Sequence, residues 1–344
     1  MSNHTLVSVD VAKNVLEVAV SYDAGRVSQR KRLSRNQFLK FCVQQKTATF
    51  LLEACSSSHY WGRRLQEMGH QVAPLPPHAA RPYVTRNKTD RTDAKGLLEA
   101  YRNEDIKPVP VKSVEQHAIA AIHRMRSGWK AERTARINCV RGILREFGII
   151  LPAGARAVVP KVQELLREPD TPIPGILRPT LDEACDEILE LERRSKHAEQ
   201  QLTVFARSNP QVSRLCSVPG VGLLSATALV AFVGGVQRFR TARHFASYLG
   251  ITPRERSSGS KRILGRISKR GDVYLRMLLI HGARAVLLSA KRMKHPDPLR
   301  TWALSVEARR GHNKAAVAVA NKMARIVWAV WLRQDEYNAT AKAA

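Results

Sequence analysis

Leu6-Val7-Ser8-Val9-Asp10-Val11-Ala12-Lys13 alternates between two sets of residues and then delivers a carboxylate. That alternation marks a strand, and an acid at its end stands at the rim of a sheet. Leu16 to Val20 repeats the pattern, and Ala48 to Leu52 is a third apolar run closed by an acid, Glu53. Val72 to Leu75 reads as a further strand, while Tyr60 to Met68 and Asp93 to Arg102 carry helical spacing. Strands alternating with helices predict an α/β domain over residues 1–110.

Asp10 or Glu53 alone says little, since acids commonly punctuate strand ends. On neighbouring strand ends the two would build an oxygen-rich site suited to Mg²⁺. In Arg86-Asn87-Lys88-Thr89-Asp90-Arg91-Thr92-Asp93-Ala94-Lys95, Asp90 and Asp93 are three apart at a helix start. That spacing puts both on one helix face. On a lone helix Asp90 would serve as a cap and Asp93 would favour the N-terminal dipole. Gathered with Asp10 and Glu53 among Arg86, Lys88, Arg91 and Lys95, they fit a metal site beside a phosphate backbone, where one or two ions stabilise the reacting oxygens.

The charge of the chain points the same way. Lys and Arg total 57 against 29 Asp and Glu, a formal charge of +28 over 344 residues. A surplus of this size repels itself unless a polyanion compensates it, and nucleic acid is the partner it implies. Five cysteines, Cys42, Cys55, Cys139, Cys185 and Cys216, lie far apart with no Cys-x-x-Cys pair, as expected of buried free thiols in a reducing cytoplasm. The opening residues enter a strand pattern directly, so no secretory leader is expected. Ala315 to Leu332 is apolar but contains Asn321, Lys322 and Arg325, which predicts a packed helix instead of a membrane span.

Beyond the first domain the periodicity becomes helical. Ile119, Ile122, Met125 and Trp129, then Ile137, Val140, Leu144 and Phe147, predict one long amphipathic helix from Val114 to Phe147. After a Pro-containing connection, Leu181, Ala184, Ile188, Leu191, Ala198, Leu202 and Phe205 form a heptad-like seam. Residues 111–209 are therefore expected to be a coiled-coil linker, its seam met either by the first helix in a hairpin or by a second copy in an oligomer. Residues 210–332 predict a mostly helical C-terminal domain, and 333–344 a tail.

Two motifs in that last domain carry chemistry. Val218-Pro219-Gly220-Val221-Gly222 leads into an apolar helix, so that Gly220 and Gly222 would let backbone amides approach a phosphate, in the manner of a helix-hairpin-helix element or of a plain helical corner. Thr252-Pro253-Arg254-Glu255-Arg256-Ser257-Ser258-Gly259-Ser260-Lys261-Arg262 sets three hydroxyls in a strongly basic loop that continues through Arg266, Lys269 and Arg270. Serines in such loops hydrogen-bond phosphates. A nucleophilic serine also needs a way to lose its proton and cations to stabilise the pentavalent phosphate, and the arginines supply the second.

Taken together, Val-Asp-Val-Ala-Lys at Asp10, Leu-Glu-Ala-Cys at Glu53, Asn-Lys-Thr-Asp-x-x-Asp-Ala at Asp90 and Asp93, Val-Pro-Gly-Val-Gly, and Gly-Ile-Thr-Pro-Arg followed by Ser-Gly-Ser resemble the DEDD transposases of bacterial insertion sequences, relatives of pilin-gene invertases and of bridge-RNA-guided recombinases. The resemblance spans nearly the whole chain in order. It implies a RuvC-like N-terminal domain of RNase H type, a helical coiled-coil segment and a C-terminal transposase domain. It also implies Asp10, Glu53, Asp90 and Asp93 as a Mg²⁺-binding tetrad, Ser258 as nucleophile, donor and target DNA as substrates, a structured non-coding RNA as guide, and assembly as a homodimer to homotetramer in the cytoplasm at the nucleoid. The sequence departs from the commoner pattern at Ala54-Cys55-Ser56-Ser57-Ser58, where relatives often carry glycine, and at Ser257, a position at which relatives can carry an acid. Two other readings remain open on the residues alone: a metal-dependent junction-resolving nuclease with water as nucleophile, and a non-catalytic nucleic-acid-binding protein.

If the basic surface covers roughly 6 to 10 phosphates, duplex DNA affinity falls about 10³- to 10⁵-fold between 50 and 200 mM salt. A fluorescence-anisotropy titration at several salt concentrations checks this, and a salt-independent Kd would contradict a phosphate-backbone partner.

Overall fold

A computed structural model describes residues 5–22, 26–84 and 90–339, with the side chains of residues 90–92 outside the description. The chain divides into two compact units, Met1–Glu115 and Gln116–Ala344.

In the first unit, β1 (Leu6–Val11), β2 (Val15–Ser21) and β3 (Gln29–Ser34) form an antiparallel meander, and β4 (Thr49–Glu53) and β5 (Gln71–Leu75) add in parallel on the other side of β1. The order is β3-β2-β1-β4-β5, a mixed five-stranded sheet. The intervening helices are α1 (Arg35–Gln44), α2 (Ser58–Glu67), the single turn α3 (Pro77–Ala80) and α4 (Asp90–Tyr101). The α/β reading of this region holds.

Alternation along the strands sorts the two faces. Val7, Val9, Leu16, Val18, Phe50 and Leu52 are buried with Phe38 and Phe41 of α1 and Trp61 and Leu65 of α2. Ala19, Leu51, Ala73 and Leu75 point to the opposite face and pack on Ala94, Leu97 and Leu98 of α4. β3, Gln-Arg-Lys-Arg-Leu-Ser, was not legible as a strand because its side chains are almost all exposed and carry no apolar alternation. Its ladder to β2 holds it in place, with Leu33 partly buried against the core. α1 follows immediately, started by a capping box in which Ser34 Oγ accepts from Gln37 N and Gln37 Oε1 accepts from Ser34 N.

The second unit opens with α5 (Val114–Glu146), whose N-terminal end belongs to the first. α6 (Val158–Arg167), α7 (Arg178–Ser208), α8 (Pro210–Cys216), α9 (Leu223–Val233) and α10 (Ala242–Tyr248) follow, then the hairpin β6 (Pro253–Glu255) and β7 (Leu264–Ile267), and α11 (Val273–Arg292), α12 (Pro298–Arg310) and α13 (His312–Arg333). The heptad-like seam of α7 is filled within the chain. Leu181, Cys185 and Ile188 are buried with Ile137, Val140 and Leu144 of α5 and with Val158 and Val162 of α6, a helix the Pro-containing connection concealed. Ion pairs Arg126–Glu199, Arg133–Glu192 and Arg136–Glu187 run along the two long helices and give their antiparallel register. Of the two partners open for the seam, the hairpin is the one seen.

Two helices, Val273–Arg292 and His312–Arg333, are long and apolar enough to cross a membrane by length and composition. Both bury a face in the same core: Leu279, Ala283 and Val286 of α11 lie against Ala316, Val319, Ala320 and Met323 of α13. The expectation of a packed helix at Ala315 to Leu332 matches this burial.

His123 of α5 is 1% exposed and joins three helices. Its Nε2 lies 3.0 Å from Thr227 Oγ1 on α9, whose own proton goes to Leu223 O at 2.7 Å, so Nε2 donates. Its Nδ1 lies 3.0 Å from the Tyr274 hydroxyl of α11 and accepts from it. Burial first, and then the nearby Arg126 charge, pushes His123 down to about 4. Between pH ~6.5 and ~4 the unfolded chain takes up a proton that the folded chain refuses, so this contribution is complete above ~6.5 and is lost as pH falls. Urea unfolding should show on the order of 2 kcal/mol less stability at pH 5 than at pH 7 from this group. In His123→Gln that share of the difference should vanish, and an unchanged acid slope would refute the assignment.

Candidate active site and its family

The site begins with the ladder between β1 and β4. They run parallel, with Leu6 beside Thr49 and Val9 beside Leu52. One residue further on, both strands reach their acids, Asp10 and Glu53, on neighbouring strands ~4.8 Å apart. Parity decides the face. Val9 and Leu52 point toward α1 and α2, so Asp10 and Glu53 point to the side that carries α4.

α4 is pinned to that side close to its start. The buried Ser8 Oγ donates to Ala94 O at 2.6 Å, tying the first turns of α4 to β1 two residues before Asp10. Asp93, the residue before Ala94, is thereby held at the same sheet face, and Asp10, Glu53 and Asp93 are each half-buried. Asp90 belongs to α4, but its side chain lies outside the described residues, as do Arg86, Lys88 and the side chain of Arg91. Lys95 is exposed.

Cys55 lies close to the pair. Its thiol is pushed up first by burial and then by the negative charges of Glu53 and Asp10, so both carboxylates stand near one sulfur. The turn that carries Cys55 away from β4 places Ser57 at φ 65°, a left-handed conformation that glycine adopts without cost. Ser58 Oγ closes the turn by donating to Cys55 O at 2.8 Å.

Among the described residues, no group of three or more His, Cys, Asp or Glu side chains is close enough to hold a metal ion. What is present fits a hard divalent cation in kind: oxygen donors from two adjacent strand ends and one helix start.

The second unit carries the other chemistry. β6 and β7 form a hairpin whose connecting segment is exposed, with Ser258 and Lys261 bridged through their backbones. The two adjacent serines differ. Ser257 Oγ donates to Glu255 Oε1 at 2.7 Å, and Arg262 Nε donates to the same oxygen at 3.1 Å. The Ser257 hydrogen bond, and then Arg262, hold the Glu255 carboxyl below its usual range. The Ser258 hydroxyl has no hydrogen-bond partner among the described residues. Glu255 was not singled out by sequence reasoning; its place two residues before a serine among arginines was the available signal.

Arg254, Arg256, Arg266 and Lys269 line a cavity of about 420 Å³ on this hairpin, floored by Ile263 and Ile267. Arg254 is held on Ser268 O by Nε and Nη2, whereas Ser260, Lys261 and Arg270 are exposed. The hairpin base is a tight backbone crossing: at Gly271, φ 91°, a Cβ would lie 2.0 Å from Tyr248 O.

The two glycines of Val-Pro-Gly-Val-Gly part company. Gly220, φ 83°, packs into the core, where a Cβ would meet Gly282 O at 2.7 Å, so close helix packing explains this glycine without a phosphate. Gly222, the N-cap of α9, is exposed and faces open space.

Comparison with known proteins gives the family. Residues 7–149 match the model of the DEDD transposases of the IS110 group, described as a transposase, and residues 212–296 match the model of the IS116/IS110/IS902 transposase family. A probable family 20 transposase of Pseudomonas aeruginosa is 41% identical over 97% of this chain and 99% of its own length. The transposase for insertion sequence element IS1111A of Coxiella burnetii is 34% identical over 99% of this chain and 93% of its own. The transposase for IS1328 of Yersinia enterocolitica is 32% identical over 96% and 97%. A sheet face with acids at two parallel strand ends, a basic serine hairpin and matches over nearly the full length lead to one conclusion: the chain belongs to the IS110-type DEDD transposases, enzymes that cut and transfer DNA.

Proposed function

We propose that this transposase cuts DNA through Ser258 and rejoins it by reversing the same step. The observation that carries the reading is the shared sheet face of Asp10, Glu53 and Asp93, together with a serine hydroxyl left unengaged beside one that is held. Asp10, Glu53, Asp90 and Asp93 would hold Mg²⁺. When bound, the ion neutralises charge on the phosphoryl oxygens and on the departing oxygen.

Ser258 Oγ attacks the phosphorus of a phosphodiester, forming an O–P bond as its proton leaves to solvent or a basic group. The 3′ oxygen departs with the electron pair of the broken bond and takes up a proton, giving a free 3′-hydroxyl. Arg254, Arg256, Arg266 and Lys269 orient the phosphate and offset its charge, with Lys261, Arg262 and Arg270 extending the basic surface. Glu255 holds Ser257 and Arg262, leaving Ser258 to react. In the return step a different 3′-hydroxyl attacks the phosphoserine and restores the serine. Because the phosphoester is conserved, no nucleotide hydrolysis is required, and the chain has no Gly-x-x-x-x-Gly-Lys-Ser/Thr.

Gly222 and Lys95 add backbone contacts on either unit. A structured RNA that pairs with donor and target DNA supplies sequence choice on this reading, so specificity lies in base pairing instead of in protein side chains. Assembly as a homodimer or homotetramer lets the serine of one protomer serve the carboxylates of another.

With the joined ends of its own element as substrate, the wild type is expected to yield a denaturant-resistant protein–DNA adduct. Ser258→Ala should abolish the adduct and lower strand cleavage by about 10³-fold or more, and Asp10→Asn should lower cleavage similarly with DNA binding intact. Peptide mapping of the adduct locates the serine. Cleavage by Ser258→Ala at the wild-type rate would replace the serine with water, and full activity of Asp10→Asn would remove the carboxylates from the chemistry.

A further inference from the structure

From Ala24 to Leu52 the chain holds seven Lys or Arg and no carboxylate, and the densest part of this stretch is the edge strand β3. The β2–β3 register sets Arg32 beside Glu17, Lys31 beside Val18 and Arg30 beside Ala19. Val18 belongs to the face covered by α1, and Ala19 to the face that carries α4. Lys31 therefore projects to the α1 side, where its ammonium lies 5.2 Å from the Phe41 ring centre, while Arg30 and Arg32 project to the side of the candidate active site.

The β1–β2 register sets Asp10 beside Glu17. One rung across the sheet thus reads Arg32, Glu17, Asp10, with Glu53 on the next strand. Arg32 Nε lies 3.4 Å from Glu17 Oε1, and its side chain is still 74% exposed. Two strand spacings separate Arg32 from Asp10 along the rung, ~10 Å, which corresponds to two or three phosphates of one strand at ~3.4 Å of axis each.

We propose that Arg30 and Arg32 form a phosphate-binding track that continues the carboxylate face and holds the polynucleotide backbone two or three phosphates from the one that reacts. The track rests on that face being where DNA is cut. A different role for these cations is to guard an open sheet edge against strand addition. Edge guarding needs charge on either face of β3, whereas the track needs it on one, so Lys31 separates the two.

The test is anisotropy of the full-length protein on a fluorescein-labelled 30-base-pair duplex, titrated in EDTA from 50 to 200 mM NaCl. EDTA silences cleavage, so the result does not depend on the carboxylates being active, and activity of Asp10→Asn is scored separately. Arg30→Ala/Arg32→Ala is expected to weaken binding about 10-fold or more at 100 mM and to lower the salt slope by about 2, near 0.9 per lost phosphate contact. Lys31→Ala is expected to change the slope by much less than 1. Wild-type affinity and slope in the double variant, or an equal loss in Lys31→Ala, would overturn the track. If the double variant fails to fold by thermal melting, Arg30→Gln and Arg32→Gln singly decide the matter, each expected to lower the slope by about 0.9.

Discussion

In the ladder between β1 and β4 both strands run in the same direction and in register, so that whatever residue follows Val9 stands beside whatever follows Leu52. Parallel pairing permits no other arrangement, and the two-residue period then assigns a face to each side chain. Val9 and Leu52 are buried on one side, which obliges Asp10 and Glu53 to occupy the other. α4 reaches that side because Ala94, Leu97 and Leu98 cover Ala19 and Leu51, and because Ser8, buried in the middle of β1, needs an acceptor and finds Ala94 O. The first turns of α4, and Asp93 with them, are held by the shorter of the two hydrogen bonds within reach of this hydroxyl, 2.6 Å to Ala94 O against 3.4 Å to Ala19 O.

The second unit rests on a different constraint. Its long helices α5 and α7 each present one apolar stripe, and neither can leave it in water. They meet antiparallel, with α6 filling the end near Leu144 and Leu181, and the basic side chains of α5 pair with the acidic ones of α7. Three acids of α7, Glu187, Glu192 and Glu199, are used in that way. The serine hairpin retains only Glu255, engaged by Ser257 and Arg262, and so keeps a net positive surface where a phosphate would sit. Distribution of the few carboxylates, more than abundance of cations, shapes where the protein attracts a polyanion.

Legibility from sequence followed burial. β1, β2, β4 and β5 were readable because their apolar residues pack on helices, and the boundaries expected lie within two residues of those found. β3 was not, since an edge strand held by backbone ladder bonds imposes no pattern on exposed side chains. α6 was hidden by the prolines around it, although Pro160 lies in its first turn, where a missing N–H costs nothing. Gly220 was readable as a glycine that something approaches closely; the approaching group turned out to be the backbone at Gly282.

The amino-acid sequence by itself determined the α/β character of the first unit, the helical character of the second, the charge that demands a polyanion, and the residue types capable of phosphoryl transfer. These are properties of local periodicity and composition, which every short segment carries whatever its neighbours do. Tertiary structure decided which acids share a face, which partner fills the α7 seam, and which of two adjacent serines is already engaged. Each of these depends on strand register or on contact between residues far apart in the chain, and a one-residue change of register would send Asp10 to the opposite side of the sheet with every local signal unchanged.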